Sequence, residues 1–256
     1  MNARYDQLSP VPPLTSATKA IIITCVVTFF VDFFLTSLGV RPGGLELTDI
    51  LGLVPARIVN DLWLWQFVTY IFMHGSPLHL LLNMLILWFF GSEIENRMGK
   101  KNFLIYFFVC GIGGGIFNFL VNASFLDVSR LQNPIIGASG AIFGILAAYG
   151  IFFGERFMLV FFIFPMKAKY FVLIMAAIEL ITGVQARAQD NVAHFAHLGG
   201  MGIGALYIYF RYIRPRGGKG GQNKKELERE RLKKQFTLIV NESAGKNDET
   251  DGPRWN

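Results

Sequence analysis

Six long apolar segments occur along this chain of 256 residues, and they constrain its fold more than any other feature. A helix needs ~20 mostly apolar residues to cross the hydrocarbon core of a bilayer. Only 16% of the residues are charged, against ~25% in average soluble domains. The sequence therefore predicts an all-α membrane protein, a bundle of six transmembrane helices. The predicted segments are 20–38, 77–94, 102–121, 135–153, 169–184 and 192–213.

Lysine and arginine are distributed unevenly between the connections of these segments. If the N-terminus lies inside, the outer loops hold only Arg41, Arg57, Arg130 and Arg187. Cytoplasmic connections are the ones that carry excess Lys and Arg, so both termini are predicted to be cytoplasmic. The net charge of +6 follows from this topology and from the tail. Since no basic stripe contains interleaved aromatic residues, no nucleic-acid partner is predicted.

Composition divides the chain into three regions: an N-terminal cytoplasmic arm (1–19), the membrane domain (20–213) and a cytoplasmic tail (214–256) that is flexible or partly helical. The first apolar segment is longer than the 7–15 apolar residues usual in a signal peptide. It is therefore expected to remain in the protein as a membrane span. The short chain without a targeting segment favours a bacterial inner membrane over an organellar one. Cys25 and Cys110 form neither a disulfide framework nor a CxxC metal motif.

Polar residues occur near the start of three segments that all enter the membrane from outside. His79 and Asn83 lie early in the second segment, Ser139 in the fourth and His197 in the sixth. At ~1.5 Å rise per residue, each lies roughly 3–10 Å below its helix start. Polar groups at such depth are costly, so a shared polar layer predicts a functional site.

The residue types in this layer are those of acyl-transfer chemistry. Small residues four apart allow helix backbones to approach closely, which would bring Ser139 Oγ within hydrogen-bond reach of His197. No Asp or Glu on these spans is placed to act as a third member, so we expect packing against Phe143 to orient the imidazole. His79 and Asn83 share a helix face, and with the Ser139 N–H they would stabilise an oxyanion by ~3–4 kcal/mol per donor. The glycines expected to support this packing are Gly137, Gly140, Gly144, Gly200 and Gly204.

Each element also has a simpler interpretation. A GxSG sequence in a membrane helix more often indicates small-residue packing than catalysis, and a His–Asn pair can bridge helices. His194 and His197 could form a metal pair, but the sequence offers no third ligand of suitable spacing and no HExxH motif. We therefore predict no metal and no cofactor. His194 is expected to be structural or to face solvent, and His74 to anchor a loop.

The joint pattern resembles the rhomboid family of intramembrane serine proteases, over about residues 20–213. The resemblance rests on His74-Gly-Ser-Pro-Leu-His79-Leu-Leu-Leu-Asn83, Gly137-Ala-Ser-Gly140 and Ala196-His-Leu-Gly-Gly-Met-Gly-Ile-Gly204. It implies a six-helix bundle, a Ser–His dyad that opens to a water-filled cavity, and cleavage of transmembrane segments near their outer ends. By that resemblance Ser139 is the nucleophile, His197 the base, and His79 and Asn83 the oxyanion side chains. Glu95 and Arg97 match a polar pair that ties down the inner end of the second helix.

The long first outer loop, 39–76, also fits this family. Its aromatic residues, Trp63 and Trp65 among them, suit the headgroup level of a membrane. Many members have Trp-Arg where this chain has Trp65-Gln66, so the packing of the loop is where a difference is expected.

The predicted function is an intramembrane serine protease whose partners are the lipid bilayer and single-span or polytopic membrane-protein substrates. A catalytically inactive rhomboid-like protein that binds membrane clients is the alternative. A transporter is disfavoured because the polar residues cluster near one face instead of following a path across the membrane. The sequence predicts no particular oligomeric state.

Overall fold

The structure is a computed structural model that describes residues 12–124, 131–160, 163–185, 194–214 and 228–233. The chain divides into two compact units, Met1–Tyr212 and Ile213–Asn256. In the second unit, residues 228–233 are helical and exposed. Most of the predicted N-terminal arm and most of the predicted tail lie outside the described residues.

Six helices account for most of the first unit, and they follow the order predicted from the apolar segments. Within the described residues, the helices long and apolar enough to span a membrane are α1, α2, α3 and α5. The central helix α4 has 14 residues and buries ten of them, Gly140 to Tyr149, whereas α1 exposes large apolar residues such as Phe33 and Phe34. The predicted helical membrane bundle is confirmed. Its helices are α1 (Ser16–Ser37), α2 (Pro77–Met98), α3 (Lys100–Ser124), α4 (Ser139–Phe152), α5 (Ala168–Gln185) and α6 (His194–Ile208).

Helix α4 begins at Ser139, later than the predicted Ile135, because the chain enters it in an extended conformation. Ile135 forms an antiparallel bridge with Leu53. Gly137 then adopts a φ of +123°, a conformation that side chains disfavour. Its N–H donates to the carbonyl oxygen of Tyr70 at 2.9 Å. This entry places Ser139 at the first turn of α4.

Glycine allows α3, α4 and α6 to approach each other closely. A Cβ atom on Gly200 of α6 would lie 2.0 Å from the carbonyl oxygen of Gly140 on α4, and one on Gly114 of α3 would lie 2.5 Å from that of Ala196 on α6. The Tyr106 hydroxyl of α3 donates to the carbonyl oxygen of Gly144 at 2.6 Å. Backbone contact of this kind is the packing that small residues permit between membrane helices.

The C-terminal end of α2 holds the start of α1. Glu95 is buried and accepts hydrogen bonds from the backbone N–H groups of Ala17 at 2.9 Å and Thr18 at 2.8 Å. The first N–H groups of a helix have no partner within the helix, so this carboxylate satisfies donors that would otherwise be buried unpaired. Arg97 lies over the ring of Phe152 on α4, 5.4 Å from its centroid.

A two-stranded hairpin connects α4 to α5. Strands β1 (Phe157–Val160) and β2 (Phe164–Lys167) pair antiparallel. Glu155 forms salt bridges with Lys167, at 2.7 Å, and with Lys169. These two ammonium groups lower the pKa of Glu155 to about 2, so the carboxylate remains charged where the hairpin joins α5.

The first outer loop contains three short α-helices, Leu47–Leu51, Pro55–Asp61 and Gln66–Thr69, and two 3-10 helices, Pro42–Gly44 and Tyr70–Phe72. Gln66 is fully buried among them. Its Oε1 accepts from the N–H of Val54, and its Nε2 donates to the carbonyl oxygen of Asp49, both at 2.9 Å. An arginine has no acceptor and could not receive the Val54 N–H. The side-chain amide of Gln66 therefore joins separate parts of this loop, because it supplies both an acceptor and a donor.

Candidate active site

Ser139 and His197 lie within hydrogen-bond distance of each other at the contact between α4 and α6. The distance from Ser139 Oγ to His197 Nε2 is 2.6 Å. His197 is buried, while Ser139 is only partly buried. A hydroxyl whose oxygen meets an imidazole nitrogen in this way has the arrangement of an activated nucleophile.

The ring of Phe143 fixes the plane of the His197 imidazole. The two rings are stacked, with centroids 4.5 Å apart and an interplanar angle of 6°. Phe143 lies one turn after Ser139 on α4, so one helix supplies both the hydroxyl and the ring that orients its partner. Rotation of the imidazole about its χ2 torsion would break the stack and the contact with Ser139 together.

Glu179 of α5 reaches the other side of the same imidazole. Its Oε2 lies 3.0 Å from His197 Nδ1. The prediction of no acidic partner covered the spans of the polar layer, and the carboxylate beside His197 comes instead from α5. The sequence did contain a signal, because Glu179 is the one acidic residue in the segment 168–185. An ionisable group within a membrane span is by itself a functional indication. The distance between Glu179 Oε2 and His197 Nδ1 is that of an ion pair, but this nitrogen makes no hydrogen bond of good geometry with any described residue.

The same carboxylate oxygen contacts His194. Glu179 Oε2 lies 2.7 Å from His194 Nδ1, and Thr182 Oγ1 lies 3.1 Å from that nitrogen. One donor atom from each of Glu179, His194 and His197 falls within 4.8 Å of the others, as the ligands of a metal ion would. The prediction that the two histidines lack a third ligand is thus wrong, since α5 supplies it from a distant part of the sequence.

His79 and Gly137 lie beside the nucleophile. A Cβ atom on Gly137 would lie 2.9 Å from His79 Nε2 and 3.6 Å from Ser139 Oγ. The absence of a side chain at Gly137 therefore leaves a space bordered by the imidazole of His79 and the hydroxyl of Ser139. A carbonyl oxygen under attack by Ser139 would develop its negative charge in a space of this kind.

Asn83 lies one turn after His79 on α2 and is buried. Its Nδ2 donates to the carbonyl oxygen of His79 at 2.9 Å. A carboxamide carries two N–H donors, so a second one remains for another acceptor. The bond to the backbone fixes the amide in place.

His74 anchors the end of the first outer loop beside His79, with ring centroids 5.1 Å apart. Its Nδ1 lies 3.2 Å from the carbonyl oxygen of Phe72. Burial, with the nearby His79, lowers the pKa of His74 to about 4, so the ring is neutral at neutral pH. Its Nε2 is buried and has no hydrogen-bond partner among the described residues.

The fold and this site together define a polytopic helical membrane protein with a Ser–His pair between two closely packed helices. The chain belongs to the rhomboid family. Its residues 62–214, more than half of its length, match the model of the Rhomboid domain.

Individual relatives support this assignment. The chain is 31% identical over 141 residues to "Rhomboid protein 1, mitochondrial" of Saccharomyces cerevisiae, covering 54% of this chain and 39% of that protein. It is 32% identical over 179 residues to "RHOMBOID-like protein 4" of Arabidopsis thaliana, covering 69% and 41%. It is 30% identical over 195 residues to "Rhomboid protease GluP" of Bacillus subtilis, covering 74% and 34%.

The chain thus spans less than half the length of each of these relatives. They come from a yeast, a plant and a bacterium, and one carries a mitochondrial name. The relatives support a multi-pass membrane protein and do not support the predicted choice of a bacterial inner membrane.

Proposed function

We propose that this chain is an intramembrane serine protease that cuts transmembrane segments through an acyl-enzyme. The observation that carries the proposal is the 2.6 Å contact between Ser139 Oγ and His197 Nε2 in the membrane domain. The Rhomboid domain match and the similarity to a rhomboid protease of Bacillus subtilis support it.

In this mechanism His197 Nε2 accepts the proton of the Ser139 hydroxyl as Oγ attacks a substrate peptide carbonyl. The protonated imidazole then gives the proton to the leaving amine, and water hydrolyses the acyl-enzyme with His197 again as base. The parallel stack on Phe143 supports this role because proton transfer needs Nε2 to stay aimed at Oγ.

The oxyanion is proposed to form in the space beside Gly137. Donors around it would be the imidazole of His79, the second N–H of the Asn83 amide and the backbone N–H of Ser139. A donor that bonds the oxyanion more strongly than the ground-state carbonyl lowers the barrier, by about 3–4 kcal/mol in measured cases. The close approach of His79 Nε2 to the Cβ position of Gly137, 2.9 Å, supports the location.

Glu179 is proposed to stabilise the imidazolium that forms when His197 takes the proton. Its carboxylate oxygen is 3.0 Å from His197 Nδ1, and both side chains are buried. A carboxylate at this distance attracts the positive charge that develops on the ring during the reaction, which is the electrostatic part of the role of the acid in a serine protease triad.

The proposed substrates are transmembrane segments that unwind locally near the outer face of the membrane. An intact helix bonds its carbonyl groups internally and shields them from a nucleophile. Small or helix-breaking residues near the cut are therefore expected. In the proposed topology both termini are cytoplasmic, so Ser139 at the start of α4 lies toward the outer face.

The test is cleavage of a model single-span substrate, with helix-breaking residues near its outer end, by the purified chain in liposomes. Product masses give the cut site, and a fluorophosphonate probe reports the reactivity of Ser139. We expect Ser139→Ala to abolish both signals and His197→Ala to reduce cleavage by ~10⁶-fold, the cost of removing the base of a serine protease. The matched control is Ser92→Ala, a buried serine on α2 whose hydroxyl has no hydrogen-bond partner among the described residues.

Cleavage that survives Ser139→Ala would overturn the proposal. Absence of both cutting and labelling by the wild type, with several destabilised substrates, would instead favour the inactive client-binding protein. In that case the wild type and Ser139→Ala should capture the same membrane proteins.

A further inference from the structure

Three metal-binding side chains converge beside the Ser–His pair. Oε2 of Glu179 lies 2.7 Å from Nδ1 of His194 and 3.0 Å from Nδ1 of His197. The cluster joins α5 to α6, and its three side chains are each no more than 13% exposed. The proposed protease mechanism uses His197 and Glu179 but leaves His194 without a role.

The donor set matches the chemistry of zinc. Two imidazole nitrogens and one carboxylate oxygen form a known zinc ligand set that leaves the fourth position open. With Zn–N and Zn–O bonds of about 2.0–2.1 Å, a tetrahedral ion separates its ligands by roughly 3.3 Å. The three donor atoms here lie within 4.8 Å of one another. Small side-chain movements would therefore bring all three within bonding distance of one ion. One negative charge and two neutral rings suit a divalent cation.

The nitrogen of His197 that faces the cluster has Glu179 Oε2 beside it, at 3.0 Å, as an ion-pair contact. His197 Nδ1 is inaccessible to solvent and makes no hydrogen bond of good geometry with the described residues. A buried polar atom without a well-formed hydrogen bond costs free energy. A metal ion bound to its lone pair would remove that cost, and it would also offset the charge of Glu179.

We propose that Glu179, His194 and His197 bind one Zn²⁺ ion and that the ion switches off the Ser–His pair. A neutral imidazole bound to metal through Nδ1 carries its proton on Nε2. Nε2 then donates to Ser139 Oγ and is no longer able to accept its proton, so Ser139 is not activated. The inhibitory consequence rests on the proposed protease function, whereas the metal site does not.

Binding is measured first on the full-length, tag-free Ser139→Ala protein in detergent, which separates the metal site from proteolysis. Equilibrium dialysis with Zn²⁺ is expected to give about one ion per chain, and Co²⁺ to give the visible absorption of a tetrahedral site. Adding Glu179→Gln or His194→Gln should weaken binding by at least ~10-fold, since even changes around metal ligands cost 10–100-fold. His74→Gln, which removes a histidine outside the cluster, should leave binding unchanged.

Inhibition is measured next as the ratio of fluorophosphonate labelling with and without buffered Zn²⁺, taken within each variant. The ratio should fall in the chain with Ser139 intact, recover on addition of a chelator, and respond to Zn²⁺ only at ~10-fold higher concentration in His194→Gln. A ratio taken within each variant removes any change in basal reactivity. Size-exclusion profiles show which variants fold. If only one of Glu179→Gln and His194→Gln folds, that variant alone is sufficient to test the metal site.

Absence of stoichiometric binding, or binding that survives both Glu179→Gln and His194→Gln, would overturn the metal site. Stoichiometric binding at the cluster with unchanged labelling would overturn the inhibitory role. If wild type neither labels nor cuts but binds Zn²⁺ through these residues, the protease proposal fails while the metal site stands.

Discussion

Gly200 of α6 lies directly against the backbone of Gly140 on α4: a Cβ atom on Gly200 would be 2.0 Å from the Gly140 carbonyl oxygen. Backbone atoms do not move aside as the end of a flexible side chain does. This contact therefore sets the distance between the helix that carries Ser139 and the helix that carries His197.

The first prediction concerns this contact. Gly200→Ala should force α4 and α6 apart, destabilise the protein by about 1–3 kcal/mol and lower kcat by ~10²-fold, as a 1 Å misplacement of catalytic groups can. Thermal unfolding in detergent and substrate cleavage measure the two effects. Gly202→Ala is the matched control, because a Cβ atom there meets nothing within 4 Å. Equal behaviour of the two variants would contradict the prediction.

The second prediction concerns Gly137 and the proposed oxyanion space. Gly137→Ala places a methyl group 2.9 Å from His79 Nε2 and also strains a backbone with φ +123°. We expect kcat to fall by ~10²–10³-fold, the cost of losing one oxyanion donor. The control is Gly99→Ala, where φ is +79° but nothing lies within 4 Å, so it isolates backbone strain. A comparable loss of kcat in both variants would refute a specific role for the space.

The third prediction concerns the first outer loop. Gln66→Ala leaves the N–H of Val54 without its partner and should destabilise the protein by roughly 1–3 kcal/mol. Gln185→Ala, at an exposed glutamine on α5, should change stability little. Limited proteolysis of the loop and the midpoint of unfolding would test this. A wild-type midpoint in Gln66→Ala would mean that the loop does not depend on these bonds.

The fourth prediction concerns acid sensitivity. The pKa of His74 is about 4 in the folded protein, against ~6.5 in an unfolded chain. The unfolded chain therefore takes up the proton first as pH falls. Stability should be unaffected by His74 above pH ~6.5 and should decline below it, by about 3 kcal/mol at pH 4.

The test compares unfolding midpoints of wild type and His74→Phe from pH 7.5 to 4. The variant keeps a ring at this position but does not titrate, so its midpoint should fall less steeply below pH 6.5. Parallel pH profiles would argue against the lowered pKa.

The sequence by itself determined the helical membrane fold, because helices that cross a bilayer need long apolar runs, and these can be counted directly. It also indicated which residues share a layer, since Ser139, His197 and His79 all occur early in segments that enter from the same side. The four-residue spacings of Gly140 with Gly144 and of Gly200 with Gly204 predicted a close contact between these two helices.

The tertiary structure alone decided which side chains complete the site. Glu179 lies on a different helix from both Ser139 and His197, and the rotation of α5 about its axis, which brings Glu179 to His197, is set by packing against neighbouring helices. The bonds of Gln66 likewise join positions far apart in the loop. Such contacts depend on distances between elements, and local patterns of apolar and polar residues do not encode those distances.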